Sequence, residues 1–208
     1  MKKYTIGLIT GALLAVSAMM FMGAQNKNLG VITADSITLV GELGETVIIG
    51  GAIGLFNTDD TQTLLISNTD NGGGAISTCN ADGKETAYLG TAEGGVGKLS
   101  TYNADGKETA YLGTGKDGFG FIRTFNADGI QTSYLGTGEG GVGFLGTYNA
   151  DGIKTAFLGT GEDGGGKLHT YNKHGVMTGG FGTNTENDGI ATLYDRYGDI
   201  GWSAIGKQ

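Results

Sequence analysis

The tetrapeptide Asn-Ala-Asp-Gly occurs at 80–83, 103–106, 126–129 and 149–152, always 23 residues apart. Asn172 and Asp195 open two worn copies, NKHG and DRYG, on the same spacing. No residue is inserted or lost between copies, so neighbouring units must form the same structure in the same register. A period of this length marks a repeat architecture, in which each unit is one supersecondary element that cannot bury its apolar face alone.

One unit, residues 96–118, reads VGKLSTYNADGKETAYLGTGKDG. Two short alternating runs, KLSTY and KETAYL, are bounded by turn residues, which is a strand signal. Asn-Ala-Asp-Gly supplies turn chemistry: Asn accepts backbone hydrogen bonds, and Gly takes a positive φ. The second connection, GTGKDGFG, is also Gly-rich and reads as the longer and looser of the two. The unit is therefore strand, tight turn, strand, looser turn. Beyond the N-terminal segment no stretch carries a 3.6-residue apolar period, so no long helix is expected. The expected fold is all-β: an elongated array of two-stranded repeats, as a hairpin meander or prism, with a β-solenoid as the alternative.

Side chains alternate across a strand, which sorts the unit into two sets. Leu99, Thr101, Ala110 and Leu112 form a small apolar set. Lys98, Ser100, Tyr102, Lys107, Thr109 and Tyr111 form the other. Later units repeat the first set as Ile122, Thr124, Ser133 and Leu135, then Leu145, Thr147, Ala156 and Leu158. Two aromatic ladders lie opposite: Tyr102, Phe125, Tyr148, Tyr171 and Tyr88, Tyr111, Tyr134, Phe157. Turn length decides whether the two strands agree. A three-residue loop with a Gly bulge pairs Asn103 with Lys107 and brings Leu99 opposite Tyr111, mixing the faces. A four-residue loop, or a turn between two stacked sheets, keeps the apolar set together. Segregated faces bury more apolar area, so one of these two is expected, although local turn propensity favours the bulged loop.

The ends of the array differ from its middle, as repeat arrays require. Ile53, Leu55, Leu64 and Ile66 are bulkier than the residues they replace, and Trp202 aligns with Ala110. Both sets read as plugs closing the ends of a thin core. Residues 36–50 look like a short first hairpin.

The first 24 residues are of another kind: Lys2 and Lys3, an uncharged run from Tyr4 to Ala24, and a small-residue end at Gly23-Ala24. That pattern is a secretory signal peptide, helical before cleavage. If retained, the run of 21 uncharged residues is long enough to span a bilayer. The expected organisation is thus 1–24 signal peptide, 25–50 lead-in and first hairpin, and 51–208 repeat domain. The chain is expected to be exported, to the periplasm, cell surface or medium.

Function classes narrow further by what the residues lack. The net charge is −8 and no basic stripe exists, so nucleic acid is not an expected partner. The absence of Pro among 208 residues suits a backbone committed to sheet ladders. The two histidines are His169, at an outward position, and His174, which replaces the Asp of the turn. Neither is placed as a catalytic or metal-binding pair, and no nucleotide-binding loop or zinc cluster is present. No enzyme and no cofactor are expected. Asp82, Asp105, Asp128 and Asp151 stack by period and raise the possibility of calcium, which takes several oxygen ligands. Asp before Gly is also ordinary turn chemistry. The lone Cys79 stands where other units carry Tyr or Phe and reads as an apolar substitution, with an interchain disulfide as the other option. The ladder of Tyr88, Tyr111, Tyr134 and Phe157 is a candidate glycan-binding or packing face.

The period and the Gly-rich hairpins resemble MORN-type repeats in architectural style. The turn closes with Asn-Ala-Asp-Gly and the glycine spacing departs from that pattern, so no functional residue carries over. A signal peptide with strict repeats and no active site looks like shaft or matrix proteins of bacterial surfaces. The functional expectation is a self-associating structural protein of the cell surface, a homo-oligomer with a trimeric prism as one closure. The alternative is an adhesin or carbohydrate-binding module that uses the Tyr ladders.

Overall fold

The computed structural model describes residues 34–206, so the expected signal peptide and residues 25–33 of the lead-in lie outside the described residues. Sixteen strands follow one another: β1 (Ser36–Gly41), β2 (Gly44–Ile49), β3 (Ala52–Phe56), β4 (Gln62–Asn68), β5 (Gly74–Cys79), β6 (Glu85–Thr91), β7 (Gly97–Tyr102), β8 (Glu108–Thr114), β9 (Gly120–Phe125), β10 (Gln131–Thr137), β11 (Gly143–Tyr148), β12 (Lys154–Thr160), β13 (Gly166–Tyr171), β14 (Met177–Thr183), β15 (Gly189–Tyr194) and β16 (Ile200–Ile205). They form one open antiparallel sheet in which every strand pairs only with its sequence neighbours. The array is a hairpin meander, not a solenoid. The first hairpin falls where the sequence placed it, as β1 and β2.

The turn chemistry overrides the expected loop. Asn103 donates its backbone N–H to the Lys107 carbonyl at 2.9 Å, and Gly106 donates to the Asn103 carbonyl at 2.9 Å. Asn103 Oδ1 accepts from the backbone N–H groups of Asp105 and Lys107, both at 3.0 Å. Gly106 stands at φ 81°, a conformation that costs glycine nothing. This is the three-residue loop with a Gly bulge, so neither the four-residue loop nor the turn between stacked sheets forms. The second connection is not looser either. Gly115 donates to Phe119 at 2.8 Å and Gly118 to Gly115 at 3.0 Å, the same loop on the other edge of the sheet. Where glycine is missing at this position, Asp60 and Asn187 take positive φ, and these are residue types that tolerate it.

The faces nevertheless stay segregated, because the strand corrects what the loop disturbs. Tyr102 pairs with Glu108, but Thr101 pairs with Ala110, leaving Thr109 as an extra residue. This second bulge recurs in each unit, at Thr63, Thr86, Thr109, Thr132, Thr155, Thr178 and, in the last, Gly201. Threonine suits the place because its hydroxyl reaches across: Thr109 Oγ1 donates to the Thr101 carbonyl at 3.1 Å, as Thr86 does to Thr78 at 3.1 Å. Thr109 therefore sits with Thr101, while Glu108 joins the Tyr face. That exchanges the face expected for Thr109.

The bulge also explains why the period is odd. Tyr111 pairs with Arg123 on its far side. Without Thr109 as an extra residue, Leu99 would face Tyr111, and through it align with Arg123. With it, Leu99 pairs with Leu112 and Leu112 with Ile122, so each position meets its own copy 23 residues on. One slipped residue per unit would turn the Leu row over at every step.

Candidate functional site

Two surfaces result, and each is built from alternate residues of the same strands. On one, the rings of Tyr111, Phe121, Tyr134, Phe144 and Phe157 stack in sequence with centroids 5.0, 5.7, 4.6 and 5.5 Å apart. His169 continues the column at 5.8 Å from Phe157 and meets Tyr171 edge-on at 6.4 Å. The spacing is close to that between strands, so each ring turns its faces to its neighbours along the sheet. Cations close the gaps. Lys98 Nζ lies 5.2 Å from the Tyr88 ring and 5.9 Å from Tyr111, and the Arg123 guanidinium lies 4.4 Å from Phe121.

Glycine makes this column possible. A Cβ on Gly113 would come within 2.7 Å of the Tyr111 hydroxyl, and one on Gly138 within 2.8 Å of Phe144 Cε1. The rings lie down over these bare positions, and the tyrosine hydroxyls reach the backbone: Tyr88 donates to the Thr91 carbonyl at 3.0 Å and Tyr134 to Thr137 at 2.7 Å. Ser100 is wholly buried beneath this layer and donates to Glu108 Oε1 at 2.6 Å. The predicted row Tyr88, Tyr111, Tyr134 and Phe157 is thus on one face. Sequence reasoning missed Phe121 and Phe144, which interleave with it from the position that Lys98 holds in the previous unit. The other predicted ladder does not stack on itself among the described residues: Tyr102 pairs with Glu108, Phe125 with Gln131 and Tyr148 with Lys154.

The opposite surface carries an unbroken row, one residue per strand: Ile37, Ile48, Ile53, Ile66, Ile76, Leu89, Leu99, Leu112, Ile122, Leu135, Leu145, Leu158, Leu168, Phe181, Ala191 and Ala204, each paired with the next. From Leu99 to Leu158 these side chains are between 38% and 53% exposed. No hydrophobic residue is buried among the described residues. Leu55, Ile66 and Trp202 are exposed on this same surface, so they plug nothing within the chain. A shallow groove lined by Leu89, Leu99, Leu112, Ile122 and Leu135 runs along it.

The remaining candidates stay apart. Asp82, Asp105, Asp128 and Asp151 sit one to a loop, each held through its own N–H by the Asn two residues earlier at 3.0 Å. Among the described residues no three His, Cys, Asp or Glu side chains converge on an ion-sized site. His174 fills the same turn position, donating to Asn172 Oδ1 at 2.9 Å. Burial pushes the His169 pKa down, helped by Lys167 and Lys154. Burial pushes the free Cys79 thiol up, helped by Glu85.

No protein-family model matches the chain. No curated protein matches it either. Among solved structures, a mutant of S. aureus TarM in complex with fondaparinux, α-GlcNAc-glycerol and UDP is similar to part of it. The likeness has a TM-score of 0.30 and 18% identity, and covers 49% of this chain and 19% of that one. At that score it carries no argument about what this chain does.

Proposed function

We propose that the protein is an exported structural component of a cell surface, a self-associating shaft, fibre or matrix element without catalytic activity. The observation that carries this reading is the uncovered aliphatic row on a sheet that, among the described residues, buries no hydrophobic side chain. A single-layer open sheet of sixteen strands exceeds the roughly ten at which open sheets usually curl or split. A second surface completes it, and in a surface protein that surface is another copy. Backbone ladders along the array supply stiffness, and the stacked rings reinforce them from the opposite side.

A carbohydrate-binding role for Tyr88, Tyr111, Tyr134 and Phe157 draws less support. Sugars stack on ring faces, and here the faces are turned to one another along the column. The test is location and form together. Antibody labelling of unbroken producing cells, with electron microscopy of the envelope and medium, should find the chain outside the cytoplasm in ordered assemblies. Recovery only from the cytosol as a single-chain species overturns the reading.

A further inference from the structure

The aliphatic surface has a cross-section, and that cross-section selects a geometry. On one side of the Leu/Ile row lies a row of small residues, Thr78, Ala87, Thr101, Ala110, Thr124, Ser133, continuing through Thr147, Ala156 and Thr170 to Gly179. On the other side Gly and Thr alternate, as Gly97, Thr114, Gly120 and Thr137. No charged residue occurs in any of the three rows, whereas Lys98, Glu108, Arg123 and Lys154 all belong to the aromatic side. From β5 to β14 the surface is therefore one bulky ridge between two low shoulders.

Two sheets packed face to face stand about 10 Å apart across their whole width, so every row must be bulky to fill the gap. Shoulders of Gly, Ala and Thr would leave voids on both sides of the ridge. Three sheets closed as a triangle meet differently. The space is widest opposite the middle of each sheet and pinches at the corners. β7 has 6 residues and β8 has 7. Strands of that length make a side of about 20 Å, which puts the axis roughly 6 Å from the middle of each sheet, about the reach of a leucine side chain.

We propose, resting on the self-association reading above, that three copies of this chain close into a triangular prism. The row Ile76, Leu89, Leu99, Leu112, Ile122, Leu135 and its continuation lie on the three-fold axis, and the aromatic columns face outward. With each exposed side chain offering on the order of 80 Å², the row supplies roughly 1,000 Å² per copy, divided between two neighbours, so each of the three pairwise interfaces buries about 1,000 Å² in total, at the lower bound of a specific interface. Identical residues meet at the axis, so strict repetition lets each layer of the prism pack like the one before.

Sedimentation equilibrium of the full chain tests this, with Leu112→Asp/Leu135→Asp beside it and near-ultraviolet circular dichroism reporting the stacked rings. The expected result is a mass of three chains, falling to one in the double variant with the ring signal intact. A milder pair, Leu112→Thr/Leu135→Thr, should weaken association at least tenfold and serves if the aspartates lose the ring signal. A mass of two chains, or a three-chain mass unchanged in a variant that keeps its ring signal, overturns the prism and leaves self-association standing. A single-chain mass at every concentration overturns both.

Discussion

The two faces of β6–β13 are made from the same strands and come out as opposites. On the aromatic side, glycines lower the backbone so that rings can lie over it, stack, and turn their hydroxyls to carbonyls. That side is finished within one chain. On the aliphatic side, Leu112 and Leu135 meet like neighbours along the row and remain about half exposed. The large aromatic side chains, which offer the most apolar area, are the ones satisfied locally. The leucines are left over. On the proposed reading this division has a physical use: the chain can hold its sheet before it meets another copy, and the Leu/Ile row and its two shoulders carry no charge to desolvate.

The comparison rests on register, so the largest effect should come from breaking it. Inserting one Ala between Leu112 and Gly113 moves Gly113 and Thr114 to the wrong faces and puts β8 out of register with β9. A loss of about 4 kcal/mol or more is expected in urea denaturation. Deleting Thr109 should cost only about 1 kcal/mol, because Thr101 can still face Ala110. Equal losses would mean that the bulge does not hold the faces apart.

Next comes the division of labour itself. Phe144→Ala removes a half-buried ring stacked on both sides and should cost about 2 kcal/mol at any chain concentration. Leu145→Ala, one residue away on the other face, should cost little in dilute solution and more as concentration rises. The same concentration dependence for both would erase the distinction. A smaller effect lies in the loops. Asn126 Oδ1 accepts from Asp128 and Ile130 at 3.0 and 2.9 Å, so Asn126→Ala should lower stability by about 1 kcal/mol by calorimetry.

The smallest is a pH effect at the end of the aromatic column. His169 has a depressed pKa, from burial first and then Lys167 and Lys154, so the folded state binds its proton less readily than the unfolded chain. Its contribution is present above the ordinary histidine range and is lost as pH falls through the folded pKa. The melting temperature should drop modestly below about pH 6.5, and His169→Phe should flatten that part of the profile. A steeper drop in the variant would reverse the assignment.

Much of this was legible from residue types. The strand pairs, the first hairpin, the two-set division and the Tyr88–Tyr111–Tyr134–Phe157 row follow from alternation and turn chemistry. Where the reading failed, two local rules were treated as rivals. The loop at Asn103 obeyed turn propensity, the faces obeyed burial, and Thr109 let both hold. Phe121 and Phe144 were missed because their position holds Lys98 in the preceding unit, and only the glycines opposite them reveal that a ring can lie there.

Period, turn residues and the binary pattern of Leu and Tyr are properties of spacing along the chain, and spacing is what a sequence records. Those alone define an all-β array of register-locked units. Which rows become adjacent depends on how each strand pairs on both of its sides at once. A bulge that shifts pairing by one residue is a compromise between neighbours, with no signature in either strand alone. The stacking of Phe121 between Tyr111 and Tyr134, and the low shoulders beside the Leu row, exist only after that pairing is made.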